Sequence, residues 1–132
     1  MRKLSKIYES LFFESITLDI MRHDVKAPNM GDMFGQDVEP AGLYVLHKDF
    51  EGDVLDNWIT GTTTLNNPMI IDVTDDTQIS YKRDLALKYK GKKQVLTKKL
   101  MALGYDAIIC RYPKGDYGEI VLFPNAKYML DK

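Results

Sequence analysis

The sequence predicts an α+β domain built from two small, mainly antiparallel sheets with three or four short helices. Three observations predict it. Five short runs, near residues 16, 43, 69, 107 and 120, have the length and patterning of strands. Helical spacing recurs between them in brief stretches that do not alternate regularly with the strands, which excludes a doubly wound sheet. The length of 132 residues, with 45% hydrophobic and 28% charged side chains, makes residues 1–132 one domain's worth, enough for a core without staples.

Residues 2–13 place Leu4, Ile7, Tyr8 and Leu11 on one face, a short amphipathic helix. Residues 15–23 alternate, with Ile16, Leu18 and Ile20 on one side and Thr17, Asp19 and Met21 on the other. This is a strand with one buried face. Continuing the alternation puts Arg22 on the Ile20 side and points His23 the other way. Residues 24–40 contain two prolines and two glycines and read as a long loop, suited to draping over a ligand. Residues 41–46 form a second strand. Val54, Leu55, Trp58 and Ile59 give residues 50–60 helix-like spacing, and 61–67 read as a turn-rich connection.

Residues 68–73 form a third strand, and 74–80 suit a turn leading into a helix over 81–89, which Gly91 interrupts. Leu96, Leu100 and Leu103 mark the next helix, and Gly104 sits where a left-handed glycine would end it. Residues 107–110 are an apolar run too short for a helix, followed by a turn over 114–118. Glu119 opens the strand over 120–123, Pro124 ends it, and Tyr128, Met129 and Leu130 make a short final element.

The net charge of -1 points to no global field for nucleic acid or an anionic membrane. A lone cysteine, Cys110, fits a reducing compartment, and no apolar run or leader suggests a membrane span or secretory signal, so a cytoplasmic protein is the default. His23, His47 and Cys110 lack zinc-ligand spacing, and no metal is expected. GDMFG lacks the lysine of a phosphate-cradling loop, and no serine sits in a nucleophile elbow. Asp53/Asp56 and Asp75/Asp76 read as solvated loop ends.

A helix followed by GYDAII and then by GEIVLF, in which an acidic residue opens an apolar strand, resembles the C-terminal third of small ADP-ribosyltransferase-like domains. The resemblance extends more weakly over most of the chain. It implies two sheets splayed around an NAD cleft, with NAD as substrate and ADP-ribose transferred to an acceptor. It makes Glu119 the catalytic carboxylate. Gly42 followed by Tyr44 resembles the family's glycine-x-tyrosine strand, which implies that Tyr44 stacks on nicotinamide. Arg22 or His23 would anchor NAD at the end of the first cleft strand. The chemistry suits a carboxylate, because breaking the nicotinamide–ribose bond develops positive charge on the ribose.

The chain departs from the family's arginine-modifying members at Tyr117, where they carry an acidic or amide residue two positions before the glutamate. That argues against an arginine acceptor. Thr62, Thr63 and Thr64 only superficially echo a serine-threonine-serine strand. A non-catalytic protein-binding module on the same scaffold is the alternative. The bland reading of Glu119 is a solvated residue beside a turn, and that of Tyr44 a half-buried strand tyrosine.

Lys88, Lys90, Lys92, Lys93, Lys98 and Lys99, with Tyr89 among them, form a basic run. It reads either as a solvated helix face or as a contact for nucleic acid, a protein target or the NAD diphosphate.

Overall fold

The computed structural model describes residues 15–23, 39–48, 58–77 and 80–131, with His23 in its backbone only. In chain order the elements are β1 (Ile16–His23), β2 (Leu43–His47), β3 (Trp58–Leu65), β4 (Pro68–Asp72), α1 (Tyr81–Tyr89), α2 (Lys93–Ala102), β5 (Ala107–Arg111), β6 (Tyr117–Leu122) and β7 (Lys127–Leu130). All strands join one sheet in the order β4-β5-β6-β2-β1-β3-β7. The β4–β5 pair is parallel and every other pair antiparallel.

This overturns the expected α+β architecture. Of the described residues 46% lie in strands and 21% in helices, and one curled, mixed seven-stranded sheet replaces two splayed sheets. Two helices stand among the described residues, where three or four were expected. The helix expected over 2–13 lies outside the described residues, as does the loop expected over 24–40 up to residue 38.

The correction centres on β3. Residues 58–65, read as a helix end and turns, pair with β1 from Ile16↔Leu65 to His23↔Trp58. Trp58, Ile59 and the threonines 62–64 are aromatic or β-branched and fit a pleated surface, so glycine here was mistaken for punctuation. A Cβ on Gly61 would stand 2.1 Å from the Met129 carbonyl oxygen, so only glycine lets β7 lie against β3. The sheet therefore runs unbroken through β1 and β3 to β7.

Both faces of the sheet carry core. On one, Ile108, Cys110, Val121 and Phe123 pack beneath Tyr81 and Leu85 of α1 and Leu96 and Leu100 of α2. On the other, Ile20, Val45, Leu65, Ala107, Ile109, Ile120 and Leu122 close on one another, with Ile70 and Leu130 packed beside them. That second core joins residues from distant strands, as curling of the sheet requires. Ala107–Cys110 of β5 are buried throughout, which explains their uninterrupted apolar run.

After α2, Gly104 adopts φ +100°. The chain then returns through Asp106, which is buried. Its Oδ2 accepts the Asn66 N–H at 2.7 Å and its Oδ1 the Asn67 N–H at 3.1 Å, clamping the β3–β4 turn. Asp106→Ala would leave both amides without these acceptors, and the expected cost is about 2 kcal/mol by urea denaturation. Asp106→Asn, which keeps one acceptor, is expected to lose less; equal losses would show that packing, not the clamp, matters.

Candidate functional site

The side chains with unusual surroundings gather where β6, β2 and the first turn of α1 meet. In α1, positions 82, 85, 86 and 89 follow the i, i+3, i+4, i+7 spacing of a buried face, so Lys82 lines up with Leu85, Ala86 and Tyr89. The Lys82 side chain is 3% exposed. Its ammonium lies 3.2 Å from Glu119 Oε1 and 3.5 Å from Glu39 Oε2. It also lies 4.8 Å from the centre of the Tyr44 ring and 5.8 Å from that of Tyr81, within cation–π range of both. A buried cation thus has two carboxylates and two aromatic rings around it.

Glu119 Oε1 accepts a second donor, the Tyr81 hydroxyl at 3.1 Å. Its Oε2 has no hydrogen-bond partner among the described residues. The glutamate side chain is 32% exposed. One oxygen is therefore fixed by two donors, and the other is open to accept.

Tyr44 donates its hydroxyl to the Pro40 carbonyl at 2.6 Å. This ties the start of β2 to the segment that carries Glu39. Ala41 N–H donates to Lys93 O at 3.3 Å, Lys93 N–H to Glu39 O at 3.1 Å, and the Thr97 hydroxyl to Ala41 O at 2.7 Å. The segment over residues 39–41 is thus strapped to the start of α2.

Burial, reinforced by the charges of Glu39 and Glu119, holds the Tyr44 phenol well above its ordinary range. Burial likewise raises Tyr81, with Glu119 adding to it. Burial pushes the Cys110 thiol up to about 12, against a hydrogen bond with Tyr81 that pulls it down. Both phenols are neutral at physiological pH, and Cys110 is a thiol there, not a thiolate nucleophile.

Register decides which of the residues chosen from the sequence share this site. Tyr44 pairs with Val121, and Leu46 pairs with Glu119 on one side and Met21 on the other. Strand alternation therefore puts Tyr44, Glu119 and Met21 on one face. Arg22 falls on the opposite face with Ile20 and Val45, so it is not brought together with Glu119 or Tyr44. His23 ends β1 opposite Trp58, and its side chain lies outside the described residues. Tyr117 meets His47 edge-to-face at 6.0 Å.

Reading the sequence missed Lys82, Tyr81 and Glu39. Lys82 carried a signal, since it falls on the apolar spacing of α1, although a lysine in a helix is ordinarily solvated. Glu39 carried none, because it lies in an irregular stretch and reaches the site through contacts distant in sequence.

Compared with protein-family models, curated proteins and solved structures, the chain matches none. Among the described residues no group of three His, Cys, Asp or Glu could hold a metal ion, and no helix is long and apolar enough to cross a membrane.

Proposed function

We propose that this chain transfers ADP-ribose from NAD to an acceptor, with Glu119 as the catalytic carboxylate. The observation that carries the reading is the asymmetry of that carboxylate. Lys82 and Tyr81 hold Oε1 while Oε2 is left to accept, on the face that Tyr44 shares. The likeness of GYDAII and GEIVLF to ADP-ribosyltransferase-like domains supports it. The seven-stranded sheet does not, because the resemblance implies two splayed sheets.

In this reading Oε2 accepts a ribose hydroxyl of NAD. The bond between the ribose anomeric carbon and the nicotinamide nitrogen breaks, and its electron pair leaves with neutral nicotinamide. The positive charge left on the ribose is offset by the carboxylate until the acceptor attacks and releases its proton. Tyr44 supplies a neutral aromatic face. Arg22, on the other face of the sheet, is not the NAD anchor in this reading.

One observation favours a non-catalytic binding module instead. The Lys82 ammonium stands over the Tyr44 ring, where nicotinamide would stack. Nicotinamide release from NAD decides between the two, measured with and without cell lysate as a source of acceptor. Glu119→Gln is expected to reduce release by about 100-fold or more, the scale of removing one transition-state electrostatic contact. Absence of release together with absence of NAD binding by calorimetry would reject the transferase and leave the binding module.

A further inference from the structure

The formal charge of -1 conceals a separation. Residues 81–104, which span both helices and their connection, hold eight basic residues against the single acidic Asp84, a net +7. The rest of the chain holds ten basic and eighteen acidic residues, a net -8. Lys82 belongs to the site, and Lys99 donates to the Tyr89 and Lys90 carbonyls at 2.9 and 3.1 Å, closing the end of α1. Arg83, Lys88, Lys90, Lys92 and Lys98 are exposed and make no salt bridge among the described residues.

The connection that presents two of these lysines, Lys90 and Lys92, is conformationally unusual. Lys90 has φ 54° and Lys93 φ 55°, both in the left-handed region, on either side of Gly91 and Lys92. A non-glycine residue there costs about 1 kcal/mol or more, and such a conformation persists where its surroundings over-determine it. The Lys99 contacts and the Glu39–Lys93 strap do so here. The lysine cluster therefore stands on a braced turn.

We propose that the outward face of α1, α2 and their connection is a nucleic-acid interface, which binds the phosphate backbone through Arg83, Lys88, Lys90, Lys92 and Lys98. Charge complementarity selects a polyanion. Outside residues 81–104 the described residues hold five basic and nine acidic side chains, a net -4, and so repel the same polyanion. An anionic lipid surface is the weaker match. The exposed apolar residues of these helices, Leu87, Val95 and Leu103, stand apart. Charged or polar residues separate them, so they form no continuous stripe to insert.

Lys88 lies six residues beyond Lys82 on α1, about 9 Å along the axis and about 120° round it. The basic face and the Glu119 site thus share one helix. This names nucleic acid as the acceptor class, a step that rests on the transfer reading. The interface itself does not, and its test needs no NAD.

The test is fluorescence anisotropy of labelled single-stranded and duplex DNA of about 20 nucleotides, titrated with the whole chain over a salt series. Binding is expected to weaken steeply between about 50 and 200 mM salt. The triple variant Lys88→Gln, Lys92→Gln, Lys98→Gln is expected to lose about 10-fold or more in affinity and to flatten the salt slope by about 2 to 3. The control triple Lys48→Gln, Lys114→Gln, Lys127→Gln removes the same charge elsewhere and is expected to change affinity by less than about 3-fold. Thermal melts check that both triples fold. Equal losses in the two triples, or no DNA binding at low salt, overturn the proposal. Binding to phosphatidylserine vesicles without binding to DNA overturns it in favour of a membrane surface.

Discussion

Lys82→Met is expected to destabilise the protein by about 3 kcal/mol at neutral pH, measured by urea denaturation. Methionine nearly matches the lysine stem in volume, so the packing against Tyr44 and Tyr81 survives and the charge alone is removed. Glu39 and Glu119 then face each other's charge without the cation that now stands 3.5 and 3.2 Å from them. Removing one partner of a buried ion pair costs about 3–5 kcal/mol. The lower end applies because water reaches Glu119, whose side chain is 32% exposed. Adding Glu119→Gln to Lys82→Met should recover about 1–2 kcal/mol as a coupling energy. A Lys82→Met protein within about 0.5 kcal/mol of the parent would mean that the cluster contributes nothing to stability.

The second large effect is alkaline. Tyr44, Tyr81 and Cys110 all have pKa values raised by folding. The thiol of the unfolded chain ionises from about pH 8.5 and its phenols from about pH 10. Above those values the unfolded chain has released protons that the folded chain keeps, so stability falls as pH rises. The contribution is fully present below about pH 8, and each group removes about 1.4 kcal/mol per pH unit once its unfolded form titrates. The Cys110 contribution is exhausted as pH passes the folded value of about 12, and those of the two phenols persist further. Urea midpoints are expected to be level near pH 8, to fall above about pH 9, and to fall more steeply above about pH 10. Tyr81→Phe should make the upper part of that fall shallower. Midpoints unchanged up to about pH 11 would contradict the buried, protonated state of all three groups.

What could be read from the chain alone divides by the range of the interactions involved. The strand over residues 107–110, its approach through Gly104 and the helix over 81–89 were legible because local pattern and packing agree there. β3 was not, because its glycine and threonines serve a close strand contact that appears only when β7 is beside it. The sheet count failed for the same reason, since β3 makes the sheet continuous. Within the site, Glu119 and Tyr44 were legible as strand positions, and the structure puts them on one face. Alternation correctly kept Arg22 on the Ile20 side, but that side is the second core and not the face of Glu119. Only the pairing of β1 with β2 could tell the two apart.

Gly61 bears on solubility as well as on fold. β7 is held to β3 through four register pairs, and the opening for it exists because residue 61 has no side chain. Without β7, the eight-residue β3 would offer an open edge of unpaired amides and carbonyls, rich in β-branched residues, to any extended chain nearby. With β7 in place the outermost strand is half as long and begins with the exposed Lys127. The opposite border, β4, opens on Pro68, which offers no amide for pairing. Both borders of the sheet are thus blunted, and at the β3 side this protection against self-association depends on one missing methyl group.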